Sequence, residues 1–349
     1  MGASKGYLCL FMVNPDHRQI EIESWLKAVS GGQIESLRPA SSDASFRRYF
    51  RFEMEGRSWI AMDAPPPQEN VAPFIRISEL LHRHGLQVPV VNAADVARGF
   101  LWLDDLGVDD YLSNLNDATV DALYRDALSA LVKIQKIQIT DPMDFPQYDE
   151  PLLIRELNVF REWFLRGLLS LEESDREKQI LGEVWGVLVA SALKQPKVMV
   201  HRDFHSRNLM KTDHGNPGIL DFQDAVLGPV TYDLVSLLRD CYIEWSDTQV
   251  ENFVGQYWET LIANGMLFES LETFRKWFDL MGIQRHLKAI GIFSRLKIRD
   301  QKPGYLKDIP RTMGYVLRVS ERYPELQNWR EYLEDTVLPP YQNFRGSRS

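Results

Sequence analysis

The sequence predicts an α+β protein of two lobes, a small antiparallel sheet followed by a larger, mostly helical part. Three observations support this prediction: short alternating strand patterns fill residues 34–64, a polar segment ending in glycine follows Leu103, and most later segments have the apolar spacing of helices. The chain has 349 residues, a length that fits two domains or one two-lobed unit.

The first lobe, residues 1–103, is predicted mainly from apolar periodicity. An opening helix is expected over residues 15–30, where Ile22, Trp25 and Leu26 keep helical spacing. Strands are expected over residues 34–39, 45–54 and 58–64, then a helix over 71–84, then strands over 88–91 and 100–103. Residues 1–11 are expected to be a non-native or unstructured extension.

The segment 104–107 is interpreted as a hinge, because it is polar and ends at Gly107. Residues 108–349 are expected to form the helical lobe that carries the chemistry and binds the acceptor. Helices are predicted over residues 118–139, 152–169, 178–193, 232–243, 248–263 and 271–296. Short strand-like runs at 198–200 and 218–220 interrupt this helical texture around a group of polar residues.

Composition excludes several classes of protein. The 40 basic and 49 acidic residues give a net charge of −9, which disfavours a general binder of nucleic acid or of anionic membranes. The longest apolar run near the start is too short for the roughly 20 residues of a membrane span. Two cysteines cannot build a disulfide framework and fit a reducing compartment. We therefore expect a cytoplasmic protein without nucleic-acid or membrane partners; a monomer is plausible, and the oligomeric state stays open.

The polar residues between the two short strands form the pattern HxDxxxxN, from His201 to Asn208, and the second strand ends in Asp221-Phe222. Phosphoryl transfer from ATP needs a carboxylate to accept the proton of the acceptor hydroxyl and oxygen ligands to hold magnesium on the phosphates. Asp203 is the candidate base, and Asn208 and Asp221 are the candidate Mg²⁺ ligands. Either motif alone is common by chance; the two strands and both motifs together favour catalysis over ordinary turn chemistry.

With a histidine two residues after the base, at His205, the motif resembles the aminoglycoside phosphotransferase and choline-kinase branch of the protein-kinase-like fold, over roughly residues 20–330. More narrowly, several segments are similar to bacterial anomeric sugar kinases that phosphorylate N-acetylmuramate and N-acetylglucosamine. These segments are residues 41–52 (SSDASFRRYFRF), 59–66 (WIAMDAPP), 101–107 (LWLDDLG), 156–164 (ELNVFREWF), 221–237 (DFQDAVLGPVTYDLVSL) and 284–293 (QRHLKAIGIF). The resemblance implies a bilobal protein-kinase-like fold and transfer from ATP to the C1 hydroxyl within cell-wall recycling.

The nucleotide side departs from the protein-kinase pattern. Protein kinases cover the phosphates with a glycine-rich loop, whereas this chain has Ser41, Ser42 and Ser45 there. These serines form either a phosphate-binding loop with hydroxyl donors or merely a hairpin turn.

The strand lysine of the kinases is also missing, because Asp63 occupies its place. Arg48 is the candidate substitute that binds phosphate; the alternative is that Asp63 begins the proline turn and Arg48 is solvated. Adenine is expected against the hinge, at Asp104 and Leu106.

Four residues are candidates for the acceptor side: Glu156, His205, Gln223 and Arg285. Glu156 is expected to hydrogen-bond sugar hydroxyls, and Gln223 adjoins a metal ligand. His205 either contacts the transferred group or holds the catalytic loop through a backbone bond. Arg285 opens a stretch to Arg311 with eight basic and two acidic residues, which favours an anionic acceptor over a polycation, although such runs are usually solvated helix faces.

Two other functions stay open at this point. One is a different small-molecule kinase of the same family, acting on an aminoglycoside, a choline-like amine or another sugar. The other is a pseudokinase that binds nucleotide without transfer. The intact base and both metal ligands favour an active kinase.

Overall fold

The computed structural model describes residues 16–42, 46–139 and 145–346, without the side chains of Ser41 and Ser42. Ser45 and the predicted extension at residues 1–11 lie outside the described residues. The described chain divides into two compact units, one formed by the residues up to Ile75 with Val90–Asp105, the other by Arg76–Pro89 with the residues from Leu106 onward.

The first unit is a five-stranded antiparallel sheet with one complete helix, in the strand order β1-β2-β3-β5-β4. Its elements are α1 (His17–Ser30), β1 (Glu35–Ser42), β2 (Arg48–Met54), β3 (Arg57–Asp63), β4 (Val91–Asp95) and β5 (Phe100–Asp104), and helix α2 (Ala72–Arg83) runs across the division between the units. The predicted sheet is therefore confirmed. The strand expected at 88–91 is wrong in its bounds: the ladder begins at Val91, because Pro89 has no N–H to donate to it.

Alternation within the strands builds the core of this unit. Phe50 and Phe52 point inward from β2, and Trp25 and Leu26 of α1 pack against the same cluster. The side chain of Asp16 accepts a hydrogen bond from the N–H of Gln19, which caps α1 at its N-terminus.

The second unit is mostly helical. Its helices, besides the end of α2, are α3 (Tyr111–Asn114), α4 (Val120–Gln135), α5 (Glu150–Val159), α6 (Asp175–Leu193), α7 (Tyr232–Leu238), α8 (Asp247–Ala263), α9 (Leu271–Ile298), α10 (Ile309–Ser320), α11 (Gln327–Tyr332) and α12 (Leu338–Gly346). The long helix α9 packs against α5, α6, α7 and α10 and forms the centre of the unit. Within the described residues, no helix has the length and apolar character needed to cross a membrane.

Helix α5 continues as a π-helix over Phe160–Leu168, and α9 crosses it closely at Gly291. A Cβ atom on Gly291 would lie 2.5 Å from the carbonyl carbon of Val159. Only glycine allows the two backbones to approach this far. The sequence predicts one helix over 152–169 and does not predict its change of winding.

Two short hairpins frame the polar loop. Strand β6 (Lys197–Val200) pairs with β9 (Val226–Pro229), and β7 (Leu209–Met210) pairs with β8 (Gly218–Ile219). The predicted helix over 232–243 ends early, at Leu238, because Arg239 leaves the helical conformation. The sequence analysis did not predict the helices between Ile309 and Gly346.

Candidate active site

The polar loop between β6 and β7 is held by a carboxylate of α7. Asp233, fully buried, accepts hydrogen bonds from the N–H groups of His201 at 2.6 Å and Arg202 at 2.9 Å. Arg202 has a φ of 78°, a left-handed conformation that costs a non-glycine residue energy. Asp233 therefore holds the backbone at the start of the loop.

A second buried carboxylate holds the middle of the loop. Asp240 accepts from the backbone N–H of Ser206 at 2.9 Å, from its hydroxyl at 2.5 Å, and from the N–H of Tyr242. Sequence analysis missed this residue. An available signal was the seven-residue spacing of Asp233 and Asp240 in a segment that is apolar except for Ser236 and Arg239, since fully buried acids are retained where they accept hydrogen bonds.

The two predicted metal ligands lie together. The amide nitrogen of Asn208 donates to the carbonyl oxygen of Asp203 at 3.0 Å and lies 3.5 Å from a carboxylate oxygen of Asp221. Because the nitrogen makes these contacts, the amide oxygen of Asn208 is the atom left to bind a cation. An amide oxygen beside a carboxylate is a donor set that fits Mg²⁺, which binds few protein ligands and fills its remaining positions with phosphate oxygens and water.

Asp203 lies at a cavity of the second unit, beside two cationic side chains of α9, Arg285 and Lys288. The cavity is lined by Asp203, His205, Tyr232, Cys241, Tyr242, Arg285, Lys288, Ala289, Ile292 and Phe293. Burial alone would raise the pKa of the Asp203 carboxyl, but neighbouring positive charges, led by Lys288, outweigh burial and hold this pKa below its usual value. Asp203 is therefore ionised at neutral pH.

His201 supports the base from within the loop. Its Nδ1 accepts a hydrogen bond from the N–H of Asp203 at 3.2 Å, so His201 acts as a scaffold residue of the loop. Burial lowers the pKa of His201 to about 4, so the ring is neutral at physiological pH and can accept this bond.

Glu156 connects the loop to α9. Its carboxylate accepts from Arg202 at 2.5 Å and from Lys288 at 2.8 Å, and the hydroxyl of Tyr148 donates to its other oxygen. The neighbouring cations overcome the effect of burial and keep the pKa of Glu156 below its usual value. Its predicted contact with sugar hydroxyls stays a prediction; in the structure its oxygens bond to protein groups.

The other predicted acceptor residues lie at the same place. Gln223 donates to Asp221 at 2.7 Å, next to the metal ligands. His205 lines the cavity and meets Tyr242 edge to face, with ring centroids 5.3 Å apart. Its Nδ1 is buried without a hydrogen-bond partner in the described chain. The interpretation that His205 holds the loop through a backbone bond is therefore wrong for this nitrogen, and the two aspartates of the α7 region fill that role.

The predicted nucleotide residues of the first unit are partly described. Asp63 is fully buried and forms ion pairs with Arg18 at 2.5 Å and Arg48 at 2.6 Å, and Arg48 also pairs with Asp16. The alternative in which Arg48 is merely solvated is therefore wrong. Its guanidinium donates to two carboxylates, and its binding of phosphate stays a prediction.

The two hinge residues predicted to lie against adenine belong to different units. The carboxylate of Asp104 accepts from Asn92 at 3.0 Å, within the first unit. Leu106 packs beside Gly218 of β8, within the second unit. Contact of either residue with adenine stays a prediction.

Comparison with known proteins agrees with this arrangement. A sequence profile of a phosphotransferase enzyme family matches residues 36–265. A relative from Pseudomonas putida strain KT2440, named N-acetylmuramate/N-acetylglucosamine kinase, is 48% identical over 86% of this chain and 88% of its own length. A relative of the same name from Pseudomonas aeruginosa is 46% identical over 85% of this chain and 87% of its own.

A solved structure shares the fold. The choline kinase of Streptococcus pneumoniae superimposes with a TM-score of 0.63 over 86% of this chain and 99% of that chain, at 12% identity. The predicted protein-kinase-like fold is thereby confirmed. Together with the profile match over most of the chain, these comparisons show that the chain belongs to the phosphotransferase enzyme family, as an enzyme that phosphorylates an alcohol group.

Proposed function

We propose that this enzyme transfers the γ-phosphoryl group of ATP to the anomeric C1 hydroxyl of N-acetylmuramate, N-acetylglucosamine or both. The proposal rests on relatives 46–48% identical over most of the chain that carry these two sugars in their names. A sugar 1-phosphate made this way belongs to the recycling of peptidoglycan, and we place the reaction in the cytoplasm, where ATP is available.

Asp203 is the proposed general base. It accepts the proton of the C1 hydroxyl while the sugar oxygen bonds to the γ-phosphorus and the bond from that phosphorus to the departing ADP oxygen breaks. A carboxylate with a low pKa is sufficient, because the transition state of phosphoryl transfer is loose and the anomeric hydroxyl is more acidic than other sugar hydroxyls.

Asn208 and Asp221 are the proposed magnesium ligands. Magnesium supplies positive charge that neutralises the phosphate oxygens during transfer. Gln223, which donates to Asp221, holds that carboxylate in orientation. On the nucleotide side, Ser41, Ser42, Ser45 and Arg48 are proposed to bind the phosphates, and Asp104 with Leu106 to contact adenine.

The observation that carries the choice of acceptor is the cavity beside Asp203. Two cations, Arg285 and Lys288, line it together with Tyr242 and Phe293. Cations repel a polycationic aminoglycoside or a choline-like amine, whereas aromatic side chains pack well against the carbon face of a sugar ring.

An ADP-release assay with N-acetylmuramate, N-acetylglucosamine, glucose and kanamycin side by side tests this function. We expect turnover with one or both amino sugars, and phosphorus NMR of the product should place the phosphate on C1. Turnover confined to kanamycin, or a phosphate on another hydroxyl, would contradict the proposal.

Two variants separate the roles in the site. Asp203→Ala should lose turnover by about 10²- to 10⁴-fold and keep ATP binding. Asn208→Ala should shift the magnesium dependence of turnover to higher concentration. Asp213→Asn, at an exposed position of the turn after β7, is the control and should behave as the wild type. Full turnover in Asp203→Ala would remove the base assignment.

A further inference from the structure

Arg285 differs from the other buried arginine of the described chain. Arg239 and Arg285 are 4% and 6% exposed. Arg239 forms an ion pair with Asp279 at 2.6 Å. Arg285 has no carboxylate within 4 Å among the described residues, and its hydrogen bond is to the sulfur of Cys241 at 3.7 Å, a weak acceptor.

A buried guanidinium without an anionic partner is costly. Removing a charge from water costs several kcal/mol, and a paired carboxylate normally offsets this cost. The two carboxylates whose charge acts on Arg285 form no ion pair with it. Asp240 accepts hydrogen bonds from Ser206 and Tyr242, and Asp203 lines the same cavity without an ion pair to Arg285. The other N–H donors of Arg285 have no acceptor among the described residues. The Arg285 side chain lines the cavity beside Asp203.

The other cation of the cavity is not equivalent. The ammonium of Lys288 lies 2.8 Å from Glu156 and donates to the hydroxyl of Tyr232 at 3.1 Å. Its charge therefore has a partner within the protein. A guanidinium, by contrast, presents parallel N–H donors that match both oxygens of a carboxylate.

We propose that Arg285 binds the carboxylate of an acidic acceptor and thereby sets the preference of the enzyme between its substrates. This inference rests on the proposed function. N-acetylmuramate is N-acetylglucosamine with a lactyl ether that ends in a carboxylate, so both sugars offer the same C1 hydroxyl to Asp203. A residue that binds the carboxylate acts on N-acetylmuramate alone.

The test compares three acceptors at pH 8: N-acetylmuramate, its neutral carboxamide and N-acetylglucosamine. The wild type should use the acid with a kcat/KM about 10- to 100-fold above that of the amide, the gain expected from hydrogen bonds to a charged group. Arg285→Gln should remove most of this ratio, because its kcat/KM should fall further for N-acetylmuramate than for the amide or for N-acetylglucosamine. The ratio of kcat/KM for the acid to kcat/KM for the amide does not depend on the fraction of enzyme that is folded.

Two further variants complete the design. Arg285→Lys keeps the positive charge but lacks the paired donors of a guanidinium, so it should give a smaller acid-to-amide ratio than the wild type. This variant provides the test if Arg285→Gln does not fold. Arg295→Gln removes the same charge from the same helix at a position that does not line the cavity, and should keep the wild-type ratio.

Three results would overturn the inference. The first is equal losses for all three acceptors in Arg285→Gln, and the second is an unchanged ratio in both Arg285 variants. The third is a wild type that uses the acid and the amide equally, which leaves the amino-sugar kinase function intact. A wild type that phosphorylates none of these sugars would overturn the proposed function and this inference together.

Discussion

Asp233 holds the catalytic loop by accepting two backbone hydrogen bonds at its start, next to Arg202 in a left-handed conformation. This single side chain therefore stabilises an unfavourable backbone geometry at the residue that directly precedes the base. Its contribution is positional, since it lies behind the loop and is fully buried.

Asp233→Asn should lower both stability and turnover. The amide nitrogen that replaces one carboxylate oxygen cannot accept a hydrogen bond. One buried backbone N–H therefore loses its partner, which lowers the free energy of unfolding by about 1–3 kcal/mol. We expect a lower midpoint of thermal unfolding and a lower kcat, with a smaller change in KM, because the base is displaced while the walls of the cavity remain.

Steady-state kinetics and thermal unfolding of Asp233→Asn measure this effect, with Asp213→Asn as the exposed control. A variant with wild-type kcat and unfolding midpoint would show that the loop keeps its geometry without this carboxylate.

The residues that could be predicted here are those that a local motif contains. The spacing from Asp203 to Asn208, followed by Asp221, predicted their convergence. The pairing of Glu156 with Lys288 could not be predicted, because the two lie 132 positions apart and meet only through the packing of α5 and α9. The spacing of Asp233 and Asp240 marks Asp240 as a candidate buried acid, but it does not identify Ser206 as the donor to it.

Helix α9 can approach α5 closely because Gly291 has no side chain. The contact falls where the α-helix ends at Val159 and π winding begins at Phe160. A methyl group at this point would meet backbone atoms, which cannot rotate away as a flexible side chain can.

Gly291→Ala should destabilise the protein by about 1–3 kcal/mol, the usual cost of overpacking, despite the better helix propensity of alanine. Gly255→Ala in α8 is the matched control, because its added methyl group meets nothing within 4 Å; it should stabilise by up to about 1 kcal/mol. Urea unfolding of the two variants measures the difference, and equal free energies of unfolding would contradict the steric argument.

At the level of helices and strands, apolar periodicity predicted the sheet and α9 well, since these elements have strong patterns of their own. It failed where an element depends on a partner. The π-helix begins where Gly291 of another helix approaches its backbone, and α7 ends at Leu238 ahead of Asp240, which bonds to a distant loop. The helices after Ile309 were missed.

The protein carries buried neutral histidines that make its stability depend on pH. The ring of His286 stacks on Tyr315, and its Nε2 donates to the carbonyl of Arg239 at 2.9 Å. Burial, aided by the charges of Arg285 and Arg239, lowers the pKa of His286 from 6.5 to about 3. Between these two values the unfolded chain binds a proton that the folded chain does not, so folding weakens as the pH falls.

His286→Gln removes this dependence. From pH 7 to pH 4.5 the wild type should lose about 2–3 kcal/mol more free energy of unfolding than the variant, which is the linkage expected for a single group with this shift. Denaturant unfolding at both pH values measures this difference. His82→Gln, at an exposed position of α2, should lose as much as the wild type. Equal losses in His286→Gln and the wild type would mean that His286 is already protonated in the fold.

One consequence of the cations on α9 concerns redesign of the enzyme. Arg285 and Lys288 contribute to the low pKa of Asp203 and also line the space beside it. An engineer who neutralises them to admit a positively charged acceptor would also make the carboxylate of Asp203 bind its proton more tightly. The acidic limb of the pH–activity profile would then move to higher pH. A change of acceptor selectivity at these two positions would therefore also change the activity of the enzyme at low pH.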